Sequence, residues 1–204
     1  MPQDRRDIVI FDLGGVLIDW DPRHLYRKLF DDEAAMEHFL ATVCTHEWHR
    51  HHDAGRSFAE GARLLKLDHP DKAELIDAFG VRAVEMIAGP IAGAVEILQE
   101  LRGRDLPLYA LSNWPAESFP LARQRFDFLG WFADILISGE VGVIKPDRRI
   151  FDIALTRFAI DPARAVYIDD VAANAAAAGR LGIHPIHFTG PEALRIELTE
   201  LGLL

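Results

Sequence analysis

Five short apolar runs, DIVIF (7–11), LPLYAL (106–111), DILIS (134–138), AVYI (165–168) and HPIHF (184–188), have the length of β-strands. Longer segments with apolar residues every three or four positions follow most of them: 115–126, 147–158, 171–182 and 191–202. Strand followed by helix, repeated, predicts an α/β fold, a Rossmann-like parallel sheet with helices on both faces.

The rhythm breaks between the first two strands. From about Trp20 to Gly103 the chain contains no convincing strand and five helical patterns: 22–30, 33–43, 57–67, 73–87 and 92–102. One crossover needs only the last of these. The surplus predicts a helical cap insertion over 20–88, leaving 1–19 and 89–204 as the core, with GPIAG (89–93) marking the exit. The small-residue run AANAAAAG (172–179) reads as a helix packed closely on the sheet.

Composition narrows the partners. With 204 residues, 50% hydrophobic and 26% charged, the chain is an ordinary globular protein of one domain or one domain with an insertion. A formal charge of −10 argues against nucleic acid, whose backbone rewards clustered Lys and Arg. No apolar stretch approaches the roughly 18 residues that would span a bilayer, so no membrane partner is expected. The single cysteine, Cys44, excludes an internal disulfide, and the opening MPQDRRD lacks the apolar core of a signal peptide. A cytoplasmic location follows as the simplest expectation.

In open parallel sheets ligands bind beyond the carboxyl ends of the strands. The first polar residues there are Asp12 after the first strand, Ser112-Asn113 after the second and Asp169-Asp170 after AVYI, while GVIKP supplies Lys145 before a helix. Taken singly, each fits a turn, a cap or a surface position. Taken together, they predict one site at one edge. Adjacent carboxylates repel unless a cation is near. Asp12, Asp170 and the backbone carbonyl of Gly14 would suit Mg²⁺, a hard ion that takes oxygen ligands. Ser112, the Asn113 amide and Lys145 would hold phosphoryl oxygens, so that Asp12 could attack phosphorus and form an aspartyl-phosphate. Glycines at 14 and 15 would let the backbone approach metal and substrate.

VIFDLGGVL (9–17), YALSNW (109–114), GVIKPD (142–147) and VYIDDVAANAAAAGRLG (166–182) resemble, in that order, the four motifs of the haloacid dehalogenase-like hydrolase superfamily. The branch resembled carries a helical cap after the first motif, and the chain is similar to its sugar-phosphate phosphatases with a DLGNV-like motif. The resemblance implies a catalytic Asp12, phosphate binding by Ser112 and Lys145, Mg²⁺ on Asp170, and Asp169 and Asn174 in support. It also exposes a departure. Most phosphatases of the superfamily carry a second Asp two residues after the nucleophile to protonate the leaving oxygen, and here that position is Gly14.

Three readings of Gly14 stand. The first is a Mg²⁺-dependent phosphatase of a small phosphorylated metabolite, with the acid supplied elsewhere or dispensed with. The second is a 2-haloacid dehalogenase-type hydrolase, which needs no such acid but lacks the acidic pair, and the third is a non-catalytic phosphate binder. The insertion offers substitutes in CTHEWHRHHDAGRSF (44–58): Glu47, His49, His51, His52 or Asp53 could reach the leaving oxygen if the cap closes. Asp19 is a further candidate. His46, His49 and His52 share helical faces that also permit zinc, although no second ligand cluster supports it. Trp20, Trp48 and Trp114 could shape a pocket or pack in a core, and Arg56 could meet an anionic group.

Overall fold

A computed structural model of the chain describes residues 6–204; residues 1–5, counted above with the core, lie outside the described residues. The five predicted strands form one parallel sheet: β1 (Ile8–Phe11), β4 (Leu108–Ser112), β5 (Asp134–Ile137), β6 (Ala165–Asp169) and β7 (His184–His187), in the order β5-β4-β1-β6-β7. β1 is central, pairing with β4 through Val9–Leu108 and with β6 through Val9–Val166.

Alternation along the strands builds a core on each face. Val9, Phe11, Val166 and Ile168 point to one side and pack against Ile97, Leu98 and Leu101 of α6 (Ala92–Gly103) and Leu194 and Leu198 of α11 (Pro191–Glu200). Ile8, Ile10, Ala165 and Tyr167 point to the other and meet Ile150, Phe151 and Ala154 of α9 (Arg148–Phe158) and Ala177 and Ala178 of α10 (Ala172–Gly179). The small residues do what their size predicts: a Cβ on Gly179 would stand 3.2 Å from the ring of Pro185 in β7, so α10 lies tight on the sheet. The short helix α8 (Ser138–Val141) joins this layer through Val141, whereas α7 (Phe119–Arg125) packs Phe119 and Ala122 into the core on the α6 and α11 side; α7 starts four residues later than the pattern at 115–126 predicts.

Between β1 and α6 run α1 (Arg23–Tyr26), α2 (Glu33–Thr42), α3 (His46–Asp53), α4 (Phe58–Asp68) and α5 (Ala73–Val81). They enclose an apolar cluster of their own, with Tyr26, Met36, Phe39, Ile76 and Phe79 at its centre. Side-chain caps from Asp32, Thr45 and Ser57 start α2, α3 and α4.

The pattern also missed something here. Two strands flank the helices: β2 (Ile18–Trp20) and β3 (Ile87–Pro90) pair antiparallel, where the sequence offered no strand. β3 reads IAGP, four residues without alternation, and it is extended because β2 lies beside it rather than through its own propensity. Likewise the pattern at 22–30 yields only one regular turn of helix, α1.

Candidate active site

β1 ends at Phe11, and the next residue, Asp12, is pinned to the neighbouring strand by its amide, which donates to the Ile168 carbonyl at 2.8 Å. Its carboxylate is then gripped on both oxygens. Oδ1 accepts from the Leu13 amide at 2.7 Å and from Ser112 Oγ at 2.6 Å; Oδ2 faces Lys145 Nζ at 2.8 Å. Ser112 is the last residue of β4, so the parallel pairing of β1 with β4 brings the two side chains together.

Lys145 arrives from the loop before α9 and is 2% exposed. Asn113 fixes its backbone reciprocally, accepting the Lys145 amide at 2.8 Å and donating Nδ2 to the Lys145 carbonyl at 3.2 Å. The ammonium spans three acceptors: Asp12, Asp169 Oδ2 at 2.7 Å and the Leu111 carbonyl at 3.1 Å. Asp169 in turn is saturated. Beyond Lys145 it accepts from the Tyr167 hydroxyl, the Val171 amide at 2.8 Å and Asn174 Nδ2 at 3.1 and 3.2 Å. Its role is to hold the lysine in place, and the charged lysine holds Asp12.

These contacts set the proton affinities. Burial raises Asp12 to about 7, against the downward pull of Lys145, and the Asp169 charge adds to the rise. Burial pushes Asp169 upward too, but Lys145, Tyr167 and the Val171 amide outweigh it and leave its carboxyl below the ordinary range. Lys145, although desolvated, stays above its ordinary value because two carboxylates surround it. Asp170 is raised by burial and by Asp169, and among the described residues no side chain donates a hydrogen bond to its carboxylate.

Asp12, Asp169 and Asp170 place one oxygen each within 4.8 Å of one another, the one such group of potential metal ligands among the described residues. Three carboxylates against one ammonium leave two negative charges, which a divalent cation would balance. Asp170 has its carboxylate uncommitted for that purpose, and Gly15 leaves room for it: a Cβ there would overlap the Asp170 carboxylate, and φ is +74°. The donor set is all oxygen, which fits a hard ion such as Mg²⁺. Gly14 behaves differently. A Cβ on it would meet no protein atom within 4 Å, so the protein's own packing does not demand glycine at position 14. An acid would fit there, and its absence is not forced by packing.

Above this edge lies a cavity of about 470 Å³. Asp12, Ser112, Asn113, Lys145, Asp170 and Asn174 form its floor, with Gly14 at the side. The opposite wall is α3, which turns His46, His49, Arg50 and Asp53 inward at helical spacing, together with Trp20. His49 stacks on Trp20, with centroids 4.8 Å apart, and its Nε2 is 3.4 Å from Asp53 Oδ1.

The other cap candidates fall away from this space. His52 packs among Trp48, Phe58 and Phe79 and its Nδ1 lies 3.1 Å from the Arg56 carbonyl; Glu47 and His51 face solvent. Asp19 pairs with His24 at 3.0 Å, and Asp21, not Asp19, receives the Arg23 amide. Trp114 lines the cavity and Trp48 belongs to the cap cluster, while Arg56 does not line the cavity. The sequence missed Tyr167 and Arg50. Tyr167 precedes Asp169 by two, the spacing of one strand face, and Arg50 precedes Asp53 by three, the spacing of one helix face.

The family model described as haloacid dehalogenase-like hydrolase matches residues 6–182. A sesquiterpene phosphatase of Aspergillus oryzae is 26% identical over 203 residues, covering 94% of each chain. Among solved structures, a predicted HAD-like family hydrolase from Porphyromonas gingivalis superposes with a TM-score of 0.73 at 22% identity, over 97% of this chain and 98% of that one. A HAD family enzyme from Bacteroides thetaiotaomicron, in complex with magnesium and inorganic phosphate, does so with 0.66 at 20% identity, over 90% and 94%.

Proposed function

The chain belongs to the haloacid dehalogenase-like hydrolases, and we propose that within them it is a Mg²⁺-dependent phosphomonoesterase acting on a small phosphorylated metabolite through an aspartyl-phosphate. The carrying observation is the convergence of Asp12, Ser112, Lys145 and Asp170 on one cavity floor, where, with Asp169 beneath, three carboxyl groups face one ammonium. The Aspergillus relative is a phosphatase and the Bacteroides structure holds magnesium and phosphate, which agree with this reading.

Asp12, Asp170 and the Gly14 carbonyl would hold the cation, which supplies positive charge to a phosphoryl oxygen and favours ionised Asp12. Asn174 and Asp169 support the site from beneath. An Asp12 oxygen attacks phosphorus, and the bond to the leaving oxygen breaks with its electron pair on that oxygen. Ser112 and Lys145 turn their donors from Asp12 to the phosphoryl oxygens, joined by the Asn113 amide, and neutralise charge as it grows. Water then attacks phosphorus, releases phosphate and restores the Asp12 carboxylate. The helical segment 20–88 acts as the cap that closes over this chemistry and excludes bulk water. A metal-free dehalogenase would have no use for the Asp170 carboxylate left without a side-chain donor at this edge.

A panel of phosphomonoesters assayed with Mg²⁺ and with chelator tests the reading. Phosphate release that vanishes in chelator, returns with Mg²⁺ and is absent from Asp12→Asn is expected. Halide release from 2-haloacids without metal, or phosphate release that survives Asp12→Asn, would overturn it.

A further inference from the structure

We infer that Asp53, carried by α3 into the roof of the cavity, donates the proton to the leaving oxygen and later takes one from the attacking water, with His49 positioning it. This rests on the phosphomonoesterase reading and supplies the acid that Gly14 cannot.

The floor has no acid to spare. Both oxygens of Asp12 are engaged, Asp169 is saturated by four donor groups, and Asp170 faces the cation site. Asp53 is different. It is 5% exposed, lines the same cavity, and its Oδ1 has no hydrogen-bond partner; the contact to His49 Nε2, at 3.4 Å, is an approach rather than a bond. A buried polar atom without a partner is costly and rare, so a carboxyl kept that way against the reacting centre suggests a partner that arrives with the substrate. His49 Nδ1 is equally unpartnered, which is consistent with a ring fixed by stacking on Trp20 rather than by hydrogen bonds.

The charge environment agrees with a donor. Burial pushes Asp53 up to about 7, opposed by Lys145 and Arg50, and pushes His49 down to about 3. Near neutral pH the pair therefore carries its proton on the carboxyl beside an uncharged imidazole. Glu140, on the neighbouring α8, is turned to Arg157 at 3.5 Å. As the P–O bond breaks, the Asp53 O–H bond breaks and its proton passes to the leaving oxygen, so the alcohol departs neutral. In the second half-reaction the Asp53 carboxylate removes a proton from water as its oxygen attacks phosphorus, which restores the starting state.

Leaving-group dependence is the test. With an alkyl phosphate that the wild type turns over, Asp53→Asn is expected to lose roughly 10²- to 10⁴-fold in kcat. With para-nitrophenyl phosphate, whose leaving group departs without a proton, the first turnover is expected to fall less than about tenfold. That turnover should appear as a burst of nitrophenolate followed by slow release of phosphate, because the second step still lacks its base. His49→Gln should lower kcat while leaving KM unchanged, and Gly14→Asp in the Asp53→Asn background should restore alkyl phosphate turnover by placing an acid in the open space at 14. Equal losses on both substrates, or no loss on the alkyl phosphate, would overturn the assignment. Failure of the phosphomonoesterase reading looks different: the wild type itself would show no Mg²⁺-dependent release that Asp12→Asn abolishes.

Discussion

The floor and roof of the cavity treat polar groups in opposite ways. On the floor nearly every oxygen and nitrogen has partners: Lys145 makes three contacts, Asp169 accepts from four groups, and Asn113 clamps the lysine backbone twice. On the roof, His49 Nδ1 and Asp53 Oδ1 are buried with none. The floor is a charged network already assembled, with Ser112 and Lys145 held on Asp12. At His49 and Asp53 the roof is desolvated, which suits a group that must exchange a proton. Under the proposed reaction, the difference would separate a phosphate-holding half of the site from a half that handles the leaving group.

Removing the proposed nucleophile should break this division most completely. Asp12→Asn is expected to lower phosphate release by roughly 10⁴- to 10⁶-fold, the scale of deleting a covalent nucleophile. Stability should not fall with it, because Asn keeps the shape while Lys145 retains Asp169 at 2.7 Å. Steady-state rates and a urea titration on the same sample check both halves.

Lys145→Met probes the floor as a network. It leaves Asp12 and Asp169 facing each other without a cation, and breaking a buried pair in this way costs about 3–5 kcal/mol. The loss should shrink toward pH 5, where Asp12, raised to about 7 even with the lysine present, takes up its proton. Urea midpoints at pH 8 and pH 5 give the comparison, and equal losses at both would show that the lysine acts by packing alone.

Much of this was legible in the chain. Strand ends marked by Asp12, Ser112 and Asp169 are one-dimensional facts, because a parallel sheet sends every carboxyl end to one edge, so order alone brought them together. Residues whose role depends on two elements meeting were not legible. Arg50 was missed, and Asp53 stood among five cap candidates that nothing in the sequence separates; both face the cavity because α3 lies across the sheet edge, and β3 is a strand because β2 is beside it. Gly14 and Gly15 look alike in sequence. Their difference is set by the position of Asp170, about 155 residues further on, which crowds one and not the other.

Asp53→Asn sharpens the comparison from the roof side through stability rather than rate. The folded state raises this carboxyl from 3.8 to about 7, so it binds the proton more tightly than the unfolded chain does. Its contribution is therefore intact below pH 3.8, is lost progressively up to about pH 7, and is flat above. At ~1.4 kcal/mol per pKa unit, the wild type forgoes up to about 4 kcal/mol by pH 8 that the neutral amide does not. The variant should be the more stable protein at pH 8 and match the wild type at pH 4. His49, pushed down to about 3, contributes the opposite slope, losing stability as pH falls below 6.5, and it is common to both proteins. Coincident unfolding curves at pH 8 would mean that the buried carboxyl finds a donor in solution.

The two glycines give the smallest effect and separate backbone need from vacancy on the floor itself. Gly15→Ala meets two obstacles, a positive φ of +74° and the Asp170 carboxylate, and should cost about 1–3 kcal/mol. Because Asp170 must move aside, the Mg²⁺ concentration for half-maximal activity should also rise. Gly14→Ala meets neither obstacle and should leave stability within about 0.5 kcal/mol. Thermal melts with a Mg²⁺ titration of each variant decide the matter. If both alanines behaved alike, Asp170 would be free to swing away from β1, and the single cavity floor on which the phosphate chemistry depends would not be held together at that point.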